Sequence, residues 1–254
     1  VADFAFPFRA LDRLGPADTE SADTVNTLDL YANCLTVLAH HTGTLRQAPP
    51  SPAAPGLFDL PGGGLVTVLE TAAVFFDSRA VFDMPGTADL VAVHLLHTPS
   101  AKTFRLRAER VPTLAIAQRW LAEQGLAPTT LTPAAGTVRA TDSASRAAEQ
   151  RIRADRAGRF EVVDHFTHED GPVYVLYRDH QPGALPPYLA QAEVPDTSDA
   201  PLDYRVREAR FATADEADTW HRDGFPPNTP AAVRPATNSA TRPASGAPRR
   251  PRRR

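Results

Sequence analysis

The sequence predicts an α+β protein: two tandem related α-β-β-β-α modules with antiparallel sheets and helices on one face, followed by a disordered C-terminal tail. Three observations carry that prediction. Short segments alternate apolar and polar residues at period two, capped helices follow strands directly, and the chain matches itself at an offset of one hundred residues. The modules are expected over 1–125 and 141–225, with the tail over 226–254.

Residues 24–46 read as the first helix, because Asp23 or Thr24 can cap it and Leu28, Tyr31, Leu35 and Leu38 recur at helical spacing. The proline-rich run 48–56 lacks backbone donors and follows an extended path, so it reads as a loop. Segments 65–70, 72–77, 79–83 and 89–97 are rich in Val, Phe and Leu and are separated by Gly, Asp or Pro, the punctuation of strands. At 103–111, Phe104, Leu106 and Ala108 alternate with Arg105, Arg107 and Glu109, as in a half-buried strand. Pro112 suits the first turn of the helix that follows, whose stripe is Leu114, Ala117 and Leu121, and Gly125 closes it.

After a loop at 126–140, a charged helix over 142–157 is capped by Asp142 or Ser143 and ended by Gly158. Its scarcity of large apolar residues predicts a peripheral position. Residues 159–167 and 173–179 form an expected hairpin about His168-Glu169-Asp170-Gly171, with Gly171 at positive φ. A proline-rich loop is expected over 181–201 and a strand over 203–211. Thr213 and Glu216 have the spacing of a capping box, and Gly224 closes their helix. From Pro226 onward the composition is too polar to offset the entropy of ordering the chain.

Phe104–Thr113 laid over Tyr204–Thr213 brings Arg105, Arg107, Arg110, Thr113, Ala117 and Trp120 onto Arg205, Arg207, Arg210, Thr213, Ala217 and Trp220, and the chain has two tryptophans in all. Upstream, 81–83 and 90–93 resemble 162–164 and 172–175. Two such modules related by a pseudo-twofold axis would place a ligand site at their junction, or the same site twice.

Of the 27 basic residues, Lys102 alone is lysine. That is the mark of a GC-rich bacterial coding bias, and it weakens any argument from arginine abundance. Distribution is more telling. No acid follows Asp223, while Arg234, Arg242, Arg249, Arg250, Arg252, Arg253 and Arg254 do, so the chain before the tail carries all 30 acids, 20 basic residues and a net charge of −10. A compact polycation seeks an acidic partner, either nucleic acid or an acidic protein surface, and the lack of interleaved aromatics favours backbone contact over base stacking. Arg105, Arg107, Arg205 and Arg207 could add a cationic strip from their strands.

A single cysteine, Cys34, excludes an intrachain disulfide, and its place beside Leu35 and Leu38 predicts a core thiol. The N-terminal residues lack a signal-peptide pattern and no stretch has the length of a membrane span, so a cytoplasmic location without membrane contact is expected. His165 and His168 with Asp164, Glu169 and Asp170 are the densest metal-competent group, and His94 and His97 share the same spacing. Residues three apart on a strand face opposite ways, so neither pair predicts a metal or cofactor site. Pro61-Gly62-Gly63-Gly64 precedes a strand and lacks the lysine of a phosphate loop. His40, His41, His180 and His221 define no triad on their own.

These readings point to a non-enzymatic accessory or interaction protein that engages nucleic acid or a nucleoprotein partner weakly and non-specifically through its tail. The alternatives are a hydrolase-like or metal-dependent enzyme drawing on His94, His97, His165 and His168 between the modules, and a pure protein-binding scaffold.

Overall fold

The alternating Val, Phe and Leu segments pair into two largely antiparallel sheets in the computed structural model, which describes residues 11, 13–31, 34–48, 66–83, 85–127, 131–134, 137, 139–169, 171–196 and 203–226. The first half runs β1 (Gly15–Pro16), α1 (Thr19–Tyr31), β2 (Leu35–Ala48), β3 (Val66–Asp77), α2 (Ala80–Asp83), β4 (Leu90–Thr98), β5 (Thr103–Val111) and α3 (Leu114–Glu123). After β6 (Thr132–Pro133) come α4 (Ser143–Arg153), β7 (Phe160–Thr167), β8 (Val173–Asp179), β9 (Tyr188–Pro195), β10 (Tyr204–Phe211) and α5 (Ala214–Arg222). Sheet A has the order β1-β5-β4-β3-β2-β6 and sheet B the order β10-β9-β8-β7.

Each half is therefore a four-strand meander between two helices, one strand more than expected. In the first half the extra strand is β2, where a helix over 24–46 is expected. Leu35 and Leu38 belong to β2, antiparallel to β3, and the helix ends at Tyr31. In the second half it is β9, inside the expected loop 181–201, where Leu189, Ala190 and Ala192 are buried between β8 and β10. Segment 79–83 forms the short α2 rather than a strand, and the segments around residue 71 merge into β3. The glycine-rich run 61–64 and the tail from residue 227 lie outside the described residues.

Both halves close the outer edge of their last strand in the same way. Asp18 caps α1 by accepting from Ser21 N at 2.8 Å, and Ser21 Oγ accepts from Leu106 N in β5 at 3.0 Å. Asp142 caps α4 by accepting from Ser145 N at 2.7 Å, and Ser145 Oγ accepts from Val206 N in β10 at 2.8 Å. The residues just before each cap run parallel to these strands, with Pro16 opposite Phe104 and Ala140 opposite Tyr204. Strand donors that would otherwise face solvent are thus satisfied by the helix entrance.

The helices lie on both faces of each sheet, not on one. Leu28 of α1 packs with Phe75, Val91, Val93, Phe104 and Leu106 on one face of sheet A, and Ile116 and Leu121 of α3 pack with Ala72, Val74 and Ala92 on the other. In sheet B, Ile152 of α4 joins Val175, Tyr177 and Leu189, while Ala217 and Trp220 of α5 join Tyr174, Leu176 and Ala190. The period-two alternation of β3, β4 and β8 shows only that one face is apolar if the intervening residues are polar. Here both sets are apolar, so each sheet needs a helix on either side.

One core is shared between the halves. Ile116 and Leu121, Ile152, and Val175, Tyr177 and Leu189 belong to a single buried cluster, so α3 and α4 form a middle layer between the sheets. The charged helix α4 is consequently not peripheral: Ser145, Ala148 and Ile152 are buried although its other residues are largely polar. The α3 face of sheet A meets the α4 face of sheet B, so unlike surfaces are joined head to tail instead of about a twofold axis.

Candidate functional site

Each of the four strand arginines has a neighbour within the fold, but only Arg107 is held by several side chains. Arg107 contacts Asp18 at 2.8 Å and Glu20 at 2.9 Å, and also donates to Ser21 Oγ. Arg105 approaches Asp18 at 3.5 Å. The Arg107 hydrogen bonds hold the Asp18 carboxyl well below the usual carboxylate range against the opposing effect of burial. Arg207 donates to Phe225 O at 2.6 Å, tying β10 to the chain that leaves α5. Arg205 pairs with Asp196 at 2.9 Å and keeps 60% of its side chain exposed. The remaining candidates, Arg249, Arg250, Arg252, Arg253 and Arg254, lie outside the described residues.

Arg110 and Arg210 serve as braces in equivalent places. Arg110 bridges Asp77 at 2.7 Å and Ala88 O at 3.0 Å, and Arg210 bridges Asp179 at 2.9 Å and Pro186 O at 3.2 Å. Asp77 and Asp179 each end the second long strand of their half, and each is buried. The upstream match of 90–93 with 172–175 does not correspond to this geometry, because β4 occupies the place of β9 while Asp179 in β8 answers Asp77 in β3.

The histidines do not converge on one centre. His94 Nε2 meets Glu70 Oε1 at 2.9 Å within sheet A, both side chains being 4% exposed. His97, further along β4, has its pKa pushed below the usual value by burial. His165 and His168 take separate surroundings at the end of β7: His165 borders the junction between the halves, and His168 Nε2 lies 3.0 Å from His221 Nε2. His180 pairs with Glu161 in an exposed position. Cys34 is half-buried just before β2 and not on a helix face. Gly171 is not among the residues at positive φ, so the turn at 168–171 does not need a glycine for that reason. Gly86 does: its φ is +84°, and a Cβ there would stand 2.7 Å from the Phe166 ring.

A polar layer beneath α4 escapes the sequence reading. Tyr204 donates a hydrogen bond to Glu149, Gln191 donates to Glu208 at 2.7 Å, and Arg151 meets the same Glu208 oxygen at 2.7 Å. Glu193 lies in the same layer, facing Val206 in the strand register, and burial followed by the charge of Glu149 pushes its pKa up to about 8. Matching the halves through Ser21 and Ser145, Glu193 stands where sheet A has Leu95, Gln191 where it has Val93, Tyr204 where it has Phe104, and Glu149 where α1 has Val25. The signal was present in Leu189-Ala-Gln-Ala-Glu-Val194, a strand alternation hidden by the prolines around it.

Two open grooves of about 460 Å³ flank Arg110. One runs between α1 and sheet A and is lined by Glu20, Asp23, Thr27, Val91 and Glu109 among others. The second lies at the junction of the halves, between the 85–88 loop and His165 and Phe166 of β7. Asp89, beside the second, has its pKa raised to about 6 by burial, with Arg110 opposing the rise. Among the described residues no three ligating side chains form a metal-binding group, and no helix is long and apolar enough to cross a membrane. No family model matches the chain, and neither the curated proteins nor the solved structures contain a significant match.

Proposed function

We propose that the protein is a non-enzymatic interaction protein, in which two related α+β modules form an acidic body and the arginine-rich C-terminal segment captures nucleic acid or a nucleoprotein partner. The observation that carries this reading is the separation of charge along the chain. Seven arginines and no acid follow Asp223, against a net −10 before them. The pairing of Arg107 with Asp18 and Glu20 supports assigning phosphate contact to the tail in preference to that strand position. An acidic body repels the same phosphates, so the contact is tethered and salt-sensitive, without sequence preference.

Fluorescence anisotropy with labelled DNA and RNA tests this, comparing the full chain with one ending at Pro227. Binding by the full chain is expected to weaken about a hundredfold or more between roughly 50 and 200 mM salt, and to be lost on truncation. Equal binding by the two chains, or none by either, overturns the proposal.

A further inference from the structure

At the outer end of sheet B, two histidines far apart in sequence meet. His168 follows β7 and His221 lies in the last turn of α5, 53 residues apart in sequence, yet their Nε2 atoms are 3.0 Å apart. Aromatic packing fixes both rings. His221 stacks on Tyr174 at 4.4 Å and 8°, and on Phe225 at 5.4 Å and 19°, while Phe166 meets the edge of His168 at 4.8 Å. Nitrogens facing one another at this distance share one hydrogen, so one of them presents a bare lone pair. Burial, and then the nearby His168, push the pKa of His221 below its usual value.

We infer that His168 and His221 form a two-imidazole site for a divalent transition-metal ion, with zinc the best match. Tetrahedral zinc with bonds of about 2.0–2.1 Å places two ligating nitrogens about 3.3 Å apart, so the pair opens by about 0.3 Å and both rings turn from facing one another toward the ion. The surrounding charge suits a cation. Asp164 of β7 and Asp218 of α5 both act electrostatically on His221 and on Tyr174, with Arg222 opposing them at His221. Asp218 is itself paired with Arg222 at 3.0 Å, so Asp164 is the better placed to complement a bound ion. Tyr174 Oη is buried and makes no hydrogen bond, and a metal-bound water would supply the partner it lacks. Because no third side chain completes the set among the described residues, the two imidazoles are the protein ligands and water takes the other positions, one protein ligand fewer than in an open catalytic zinc site. This inference is independent of the tail.

The test is calorimetric titration of Zn²⁺ into the untagged full chain near neutral pH, beside His168→Ala, His221→Ala and His180→Ala. One zinc per chain is expected, bound about tenfold or more weakly by each of the first two variants and equally well by the third, whose exposed ring pairs with Glu161. Since removing a stacked ring also loosens packing, imidazole ¹⁵N shifts of the wild-type chain are followed in the same titration. The Nε2 signals of His168 and His221 are expected to move together within one equivalent. Zinc that moves only other histidines, or that binds His168→Ala and His221→Ala as tightly as the wild type, overturns the assignment.

Discussion

Asp179 concentrates the residue-scale logic of this fold. It is buried, yet it accepts from Arg159 Nε at 2.8 Å, Arg210 at 2.9 Å and Gln181 N at 3.1 Å, so one carboxylate ties together β7, β8, β10 and the start of the following loop. The Arg159 hydrogen bond, with Arg210 behind it, holds its carboxyl far below the ordinary range. In the unfolded chain the same group takes up a proton near pH 4. The unfolded state therefore binds more protons in acid, and the stabilisation is complete above about pH 4 and lost as pH falls below it. Asp18 acts in the same direction. Asp179→Ala should lower stability at pH 7 by about 2–3 kcal/mol in urea denaturation, less than for a fully enclosed ion pair because both guanidiniums can regain some water. The difference should shrink toward pH 2, and a loss below about half a kcal/mol at pH 7 contradicts the bracing role.

At the scale of elements, the layer beneath α4 has the opposite pH dependence. Glu193 is protonated in the folded chain up to about pH 8 but ionises near the ordinary glutamate value when unfolded. Between those values the folded state holds the extra proton, so stability falls as pH rises. Sheet A fills the equivalent position with Leu95, which shows that the architecture accepts an apolar residue there. Glu193→Leu is expected to raise stability at pH 8 by about 1–4 kcal/mol and to flatten the decline above pH 5. Destabilisation by this change contradicts the placement of Glu193 in a desolvated layer. Elements whose local chemistry agrees with their tertiary role were legible in the sequence: β10, the Thr213 capping box, Gly125 and Gly224 at helix ends. β2 was not, because Leu28, Tyr31, Leu35 and Leu38 straddle a helix end and a strand start at a spacing that imitates one helix. β9 was hidden by Pro186, Pro187 and Pro195 at its borders, and with it went the acidic layer. The pairing of His168 with His221 depends on where α5 lands on sheet B, which no local pattern encodes.

Over the whole molecule, the halves share one middle layer of helices, so the body is a single packed unit to which a charged segment is attached. The Arg110–Asp77 and Arg210–Asp179 braces recur at corresponding positions, the strongest support for reading the halves as copies. Their head-to-tail stacking exposes unlike faces at the two ends, and of the four strand arginines Arg205 and Arg207 are exposed while Arg105 and Arg107 are half-buried beside Asp18. In the proposed function the tail, not the body, meets phosphate. Its most direct test is the slope of log Kobs against log salt for duplex DNA, measured for the wild type, for Arg205→Ser, and for a chain with serine at Arg249, Arg250, Arg252, Arg253 and Arg254. If all seven tail arginines engage phosphates the slope approaches about −6. A steep wild-type slope is expected, which Arg205→Ser leaves intact and the tail variant largely abolishes. A slope that survives loss of the tail arginines, or disappears with Arg205 alone, contradicts it.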